Sequence, residues 1–183
     1  LKTGGGSENS SKTSGGKDNP PWGKWGQEDS STTEEDTASA KGLKAGGDIK
    51  ISNATITTDT SDDSIHSNSN VTIESGTFNL KSGDDGIHAD TSTVINNGNI
   101  VIEKSYEGIE GSNVTINGGT IELTASDDGI NSAGGSDSSS MGGRMGQNSF
   151  TENSDIYIKI TGGKVTVDAS GDGLDSNSNL IIE

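Results

Sequence analysis

Five short stretches hold the residues best able to do chemistry: SDDSIHS (Ser61 to Ser67), SGDDGIHAD (Ser82 to Asp90), YEGIEG (Tyr106 to Gly111), SDDGINS (Ser126 to Ser132) and GDGLDS (Gly171 to Ser176). Aligned on their aliphatic residue, they put Asp62, Asp84, Tyr106, Asp127 and Gly171 in one column. The next column holds Lys41, Asp63, Asp85, Glu107, Asp128 and Asp172. An aspartate pair before a glycine is an ordinary turn, because the side chain caps nearby backbone. A repeated pair raises a further question. If the repeats stack at strand spacing, column neighbours lie about 5 Å apart. Two carboxylates at that distance repel by roughly 3 kcal/mol at an effective dielectric near 20. The chain has no dense set of Lys and Arg to answer this, whereas a hard divalent cation would. Calcium takes six to eight oxygens, which stacked Asp, Glu, Asn and backbone carbonyls supply. Asp62, Asp63, Asp84, Asp85, Glu107, Asp127, Asp128 and Asp172 are therefore the candidate calcium ligands. The competing reading is a column of solvated turn caps, which costs little at physiological salt.

The position after the aliphatic residue reads Lys44, His66, His88, Glu110, Asn131 and Asp175. Two histidines in adjacent repeats suit a transition metal, but zinc sites take three or four protein ligands. Surface stacking of polar side chains is the expectation for His66 and His88, with contact to a sugar as their candidate role.

These turns must be held by a regular frame, and the spacing shows one. The aliphatic residues fall at Leu43, Ile65, Ile87, Ile109, Ile130 and Leu174, with gaps of 22, 22, 22, 21 and 44. Between the turns run apolar pairs of spacing two, such as Val71/Ile73 and Val114/Ile116, then Phe78/Leu80 and Ile121/Leu123. That spacing marks short strands with one buried face. A small residue separates the two pairs: Ala54, Gly76, Gly98, Gly119 or Gly163. A period near 22 with short strands and no helical pattern predicts an all-β parallel solenoid, each coil covering the next. The double gap reads as an insertion of about one period at 133–154, looping out of a single coil.

The rest of the composition bounds the function. Of 183 residues, 25% are apolar, and 12 basic against 28 acidic side chains give a net charge of −16. A thin repetitive core is compatible with so few apolar residues; one thick core is not. The acidity excludes nucleic acid as an expected partner, since phosphate contacts need clustered Lys and Arg. No apolar run is long enough to span a membrane. Absent cysteine removes disulfides and thiolate zinc sites. Residues 1–38, rich in Gly, Ser and Thr, read as a flexible linker, and 39–183 as the solenoid domain. Within the linker, Trp22 and Trp25 of NPPWGKWGQ are candidates for sugar contact. The chain starts at Leu1 and stops inside NLIIE, which reads as a mature segment or fragment, with later coils missing. A monomer is the expected state.

Catalysis is not expected. A uronate lyase needs a basic residue beside the proton it removes, and the single arginine, Arg144, falls in the insertion. A glycoside hydrolase needs one pair of carboxyls across the scissile bond, whereas these acids repeat. A lyase-like enzyme and a purely structural stalk or adhesin are the alternatives to a binding domain. An ice-binding threonine ladder is absent, since the outward position reads Lys50, Thr72, Val94, Thr115 and Lys159.

NVTIESGTFNLKSGDDGIHAD and NVTINGGTIELTASDDGINSAGG resemble the carbohydrate-binding β-helix domain of clostridial cell-surface proteins, over residues 40–183. The resemblance implies a right-handed parallel β-helix of the pectate-lyase type with bound calcium. It implies binding of polygalacturonate or cellulose at the bacterial cell surface, without clear lyase activity. Its doubled acid maps onto Asp62 with Asp63, Asp84 with Asp85, and Asp127 with Asp128; Tyr106 and Gly171 depart from it. Electrostatics fit the acidic glycan, because calcium would bridge two polyanions. Cellulose usually wants flat aromatic platforms, and the domain has few aromatics. Tyr106 is the best candidate for sugar stacking.

Overall fold

The computed structural model describes residues 1–9, 40–132 and 156–183. Trp22, Trp25 and all of the 133–154 insertion lie outside the described residues. The first strand, β1 (Lys2–Thr3), precedes a single 3-10 turn at Ser7–Asn9. The first coil then supplies β2 (Leu43–Ala45), β3 (Ile49–Ile51) and β4 (Ala54–Thr60), and the second β5 (Ile65–Ser67), β6 (Asn70–Ile73) and β7 (Gly76–Ser82). In the third and fourth coils the first two strands merge, giving β8 (Ile87–Ile95) with β9 (Asn99–Lys104), then β10 (Ile109–Ile116) with β11 (Thr120–Ala125). The fifth holds β12 (Ile130–Ser132), β13 (Tyr157–Ile160) and β14 (Lys164–Ala169). Strands β15 (Leu174–Ser176) and β16 (Asn179–Ile182) lie on top of it.

Every strand pairs in parallel with its counterpart one coil away, so the fold is the β-solenoid that the spacing predicts. One sheet runs β1-β4-β7-β9-β11-β14; the other runs β2-β5-β8-β10-β12-β15, with β3, β6, β13 and β16 alongside. Register is set by burial: a slip of one residue would turn every inward side chain outward. The aliphatic column is in register from Leu43 through Ile65, Ile87, Ile109 and Ile130 to Leu174. Across the core it meets Phe78, Leu80, Ile100, Ile102, Ile121 and Leu123, all buried.

The glycine that follows most acid pairs is required by this packing. A Cβ on Gly86 would stand 2.6 Å from the Gly108 carbonyl and 2.7 Å from Ile102 Cδ1. Ser64 occupies the same column and is held there by hydrogen bonds. The facing sheet there offers Thr58 and Thr60, and Thr58 Oγ1 donates to Ser64 Oγ at 2.7 Å. Ser64 Oγ donates in turn to the Lys81 carbonyl at 3.2 Å.

Two boundaries drawn from composition can be compared with the fold. The double gap is one coil plus an insertion, because β10 pairs directly with β13 and β12 with β15. Residues 1–9, assigned by composition to the linker, instead join the domain. Strand β1 pairs in parallel with β4, Lys2 meeting Asp59 in register. The Ser7 amide donates to Asp59 Oδ1 at 2.8 Å, and Lys104 Nζ reaches the Ser7 carbonyl and Glu8 at 2.9 Å. Composition misses this because the contacts use backbone and charged tips, which leave no apolar pattern.

Candidate functional site

The acid columns run along one edge of the solenoid, at the turn that leads into the aliphatic column. Their carboxylates do a structural job first. Asp63 Oδ1 accepts from the Asp85 amide at 3.0 Å, Asp85 Oδ1 from the Glu107 amide at 3.3 Å, and Asp128 Oδ1 from the Asp172 amide at 2.7 Å. Each acid thus caps the same turn one coil further on. This fixes one oxygen of each carboxylate and leaves the other free to meet a cation.

In the first coils that cation is partly internal. Lys41, the first member of the column, puts Nζ 2.8 Å from Asp62 Oδ1 and 2.6 Å from Asp63 Oδ2. His66 Nδ1 is 2.7 Å from the same Asp63 oxygen. Burial alone would raise the Asp63 carboxyl, but the His66 contact and the Lys41 charge outweigh it and hold it at about 2. Burial likewise opposes the charge on Lys41, and the two aspartates overcome it, lifting the ammonium above its ordinary value.

His66 and His88 do not stack at the surface as the sequence suggests. They are 4% and 1% exposed, with ring centroids 4.7 Å apart. His88 Nδ1 lies 2.7 Å from Glu110 Oε2 and 3.1 Å from Asp85 Oδ2, while Nε2 lies 3.2 Å from Asp90 Oδ1. Burial would lower His88, but its bonds to Asp85 and Glu110 push it up to about 11. Burial drives the Asp85 carboxyl well above the carboxylate range, against the His88 bond, and Asp63, Asp84 and Glu110 add to the rise. Glu107 is pushed up to about 8 by burial and the nearby Glu110. Glu110 is held below its ordinary value: burial opposes this, and the bond to His88 decides it.

Further up the stack the same columns are open. Asp127 and Asp128 are half-buried and Asp172 is exposed. Burial raises Asp128, with the neighbouring Asp127, Asp175 and Asp172 charges adding to it against the Asp172 amide bond. Among the described residues no Lys or Arg forms an ion pair with these four acids. Tyr106 is half-buried, and its hydroxyl bonds to Asp127, which with burial raises it above its ordinary value. Its ring is therefore tied to the acid column rather than presented as a free platform.

The candidate ligands thus separate by donor type. Asp62, Asp63 and Asp84 form a group of three oxygens within 4.8 Å of one another. Asp85 is drawn instead to His88 and Glu110, and Glu107 accepts from Asn131 Nδ2 at 3.1 Å. Asp127, Asp128 and Asp172 share the upper turns. Glu110 and Asn131, the site residues that the acid columns alone do not pick out, were visible in the sequence as column-mates of the histidines.

The fold and this edge define a class: a parallel β-solenoid whose repeated turns carry a ladder of buried and open carboxylates. The family model described as "Carbohydrate-binding domain-containing protein" matches residues 1–86 and, in a second overlapping stretch, 69–149. The chain belongs to that family and, by that membership, binds carbohydrate. No curated protein and no solved structure matches it.

Proposed function

We propose that the domain binds an acidic plant cell-wall polysaccharide of the polygalacturonate type, through calcium held at its acidic edge, without cleaving it. The observation that carries this reading is the oxygen-only group of Asp62, Asp63 and Asp84. A hard cation with six to eight oxygen ligands fits such donors, and backbone carbonyls and glycan carboxylates can complete its shell. Lys41 covers two of the three carboxylates, so calcium would enter by displacing its ammonium. The chain's charge of −16 would otherwise repel a polyuronate. Cellulose is the less favoured ligand, because Phe78 is buried in the core and Tyr106 is bonded to Asp127. The repetition of the acids and the family description support binding rather than cleavage. A bacterial cell-surface location suits such a ligand.

The test is a pull-down on insoluble polygalacturonate and on cellulose, in calcium and in EDTA, with the supernatant assayed for unsaturated uronate. Retention on polygalacturonate in calcium only, without product, is the expected result. Equal retention in EDTA would sink the calcium bridge, and accumulating product would make the domain a lyase.

A further inference from the structure

We propose that Asp85, His88 and Glu110 form a site for one divalent transition-metal ion of the zinc class. This goes beyond the glycan reading and does not depend on it, since its donors are mixed nitrogen and oxygen rather than oxygen alone.

The geometry carries the inference. Three donor atoms from two adjacent turns of the ladder converge on one point: His88 Nδ1, Asp85 Oδ2 at 3.1 Å and Glu110 Oε2 at 2.7 Å. In a tetrahedral site with bonds of about 2.0–2.2 Å, neighbouring donors stand about 3.3–3.6 Å apart. The group therefore needs to open by roughly half an ångström to take the ion. Parallel register supplies this convergence. His88 and Glu110 are direct partners in adjacent coils, and Asp85 is three residues before His88 on the turn. His66, the register partner of His88 on the other side, has its ring 4.7 Å away.

The outer contacts are those that a metal histidine needs. A ligating imidazole usually gives its second ring nitrogen to a carboxylate, which fixes the tautomer and the ring plane. His88 Nε2 lies 3.2 Å from Asp90 Oδ1. Asp90 is itself held, its Oδ2 accepting from Asn68 Nδ2 at 3.1 Å. Asp85 is anchored through its other oxygen, Oδ1, by the Glu107 amide. Only Oδ2 faces the histidine.

The column continues one coil on. Asn131, the register partner of Glu110, is 7% exposed, and its Oδ1 is buried with no hydrogen-bond partner among the described residues. The donor set then selects the metal class. Imidazole suits zinc, copper, iron and nickel, whereas calcium takes oxygen.

The test uses the whole chain, stripped with a chelator and returned to buffer containing excess calcium. Cobalt(II) is titrated in as a spectroscopic probe, followed by visible absorption, and zinc is then added as competitor. The expected result is one cobalt per chain with the intense band of a four- or five-coordinate site, insensitive to calcium and removed by one equivalent of zinc. Asp90→Asn, a partly exposed change that leaves the three donors in place, should weaken binding about 10–100-fold. His88→Gln should abolish the band, and Asp62→Asn should leave it intact. Should His88→Gln fail to fold, the ring-nitrogen resonances of wild-type His88 decide instead, since zinc must shift Nδ1. No cobalt band, displacement of the ion by calcium, or an unshifted His88 would each overturn the proposal. Loss of glycan binding with cobalt binding intact would refute the polysaccharide reading alone.

Discussion

The first three coils and the last two carry the same acidic turn, yet they handle its charge in different ways. Between Lys41 and Glu110 the acids are buried or half-buried, and Asp62, Asp63, Asp85 and Glu110 meet an ammonium or an imidazole within the stack. From Asp127 to Asp175 they are half open, and water and salt screen them. A motif does not fix its electrostatics. The neighbours one coil away decide whether a carboxylate becomes a buried ion, a protonated acid or a solvated cap.

The largest effect should come from breaking the buried pair. Lys41→Met removes the ammonium from Asp63, which is 1% exposed, and leaves that charge with His66 alone. Removing one member of a buried ion pair typically costs about 3–5 kcal/mol. Urea unfolding in EDTA measures it. If calcium occupies the Asp62, Asp63 and Asp84 group, the same variant should regain much of its stability in calcium, because the competing ammonium is gone. A loss below about 1 kcal/mol, within the range of an exposed pair, would erase the difference between the two regions.

The pH profile should tell the regions apart next. His88 rises from 6.5 to about 11 on folding, so its contribution is complete below pH 6.5 and is lost as the pH climbs toward 11. Glu107 rises from 4.5 to about 8, which likewise costs stability as the pH passes from 4.5 to 8. Asp63 has the opposite sign. Its folded value of about 2 lies below 3.8, so its contribution is present above pH 3.8 and lost as the pH falls to 2. The metal-free chain should therefore be most stable between about pH 4 and 6, and should weaken steadily toward pH 9. A flat profile from pH 5 to 9 in EDTA would show that the buried charges are not coupled to folding.

A glycine substitution sharpens the point about neighbours. The Ser64 hydroxyl accepts from Thr58, whereas a Cβ added at Gly108 would stand 2.3 Å from the Gly129 carbonyl and 2.9 and 3.0 Å from the Leu123 methyls. Gly108→Ser should cost about 1–3 kcal/mol, the usual range for overpacking. Thermal melting would show this, and a neutral result would mean that the column tolerates serine regardless of what faces it.

The frame was legible in the sequence because it repeats. Spacing two within strands and 22 between coils gave the columns and their register, since a solenoid core is written one residue type per column. The site was only half legible. Asp63 and Asp128 look alike in one dimension, and nothing in either turn says that Lys41 lies against the first. His66 and His88 read as surface residues because alternation puts them outward from Ile65 and Ile87. The acids that close over them come from the preceding turn and the next coil. The contact of Ser7 and Glu8 with Asp59 and Lys104 was not legible, since it joins polar residues with no shared period.

The smallest effect is the cleanest contrast. Asp128→Asn keeps an oxygen that can accept from the Asp172 amide and removes one charge from a group of four acids. At a half-exposed turn the change in stability should stay within about 0.5 kcal/mol, and relief of like-charge repulsion makes slight stabilisation the expected sign. Asp63→Asn keeps the same bond to the Asp85 amide but strands Lys41 and His66 without their shared carboxylate, so it should be clearly destabilising. The two substitutions are chemically identical and sit in the same column of the same repeat. Unfolding both in EDTA therefore measures burial and partnering alone. Equal changes would mean that the column behaves as one solvated surface, and that the buried charges of the lower coils have no bearing on how the domain is held together.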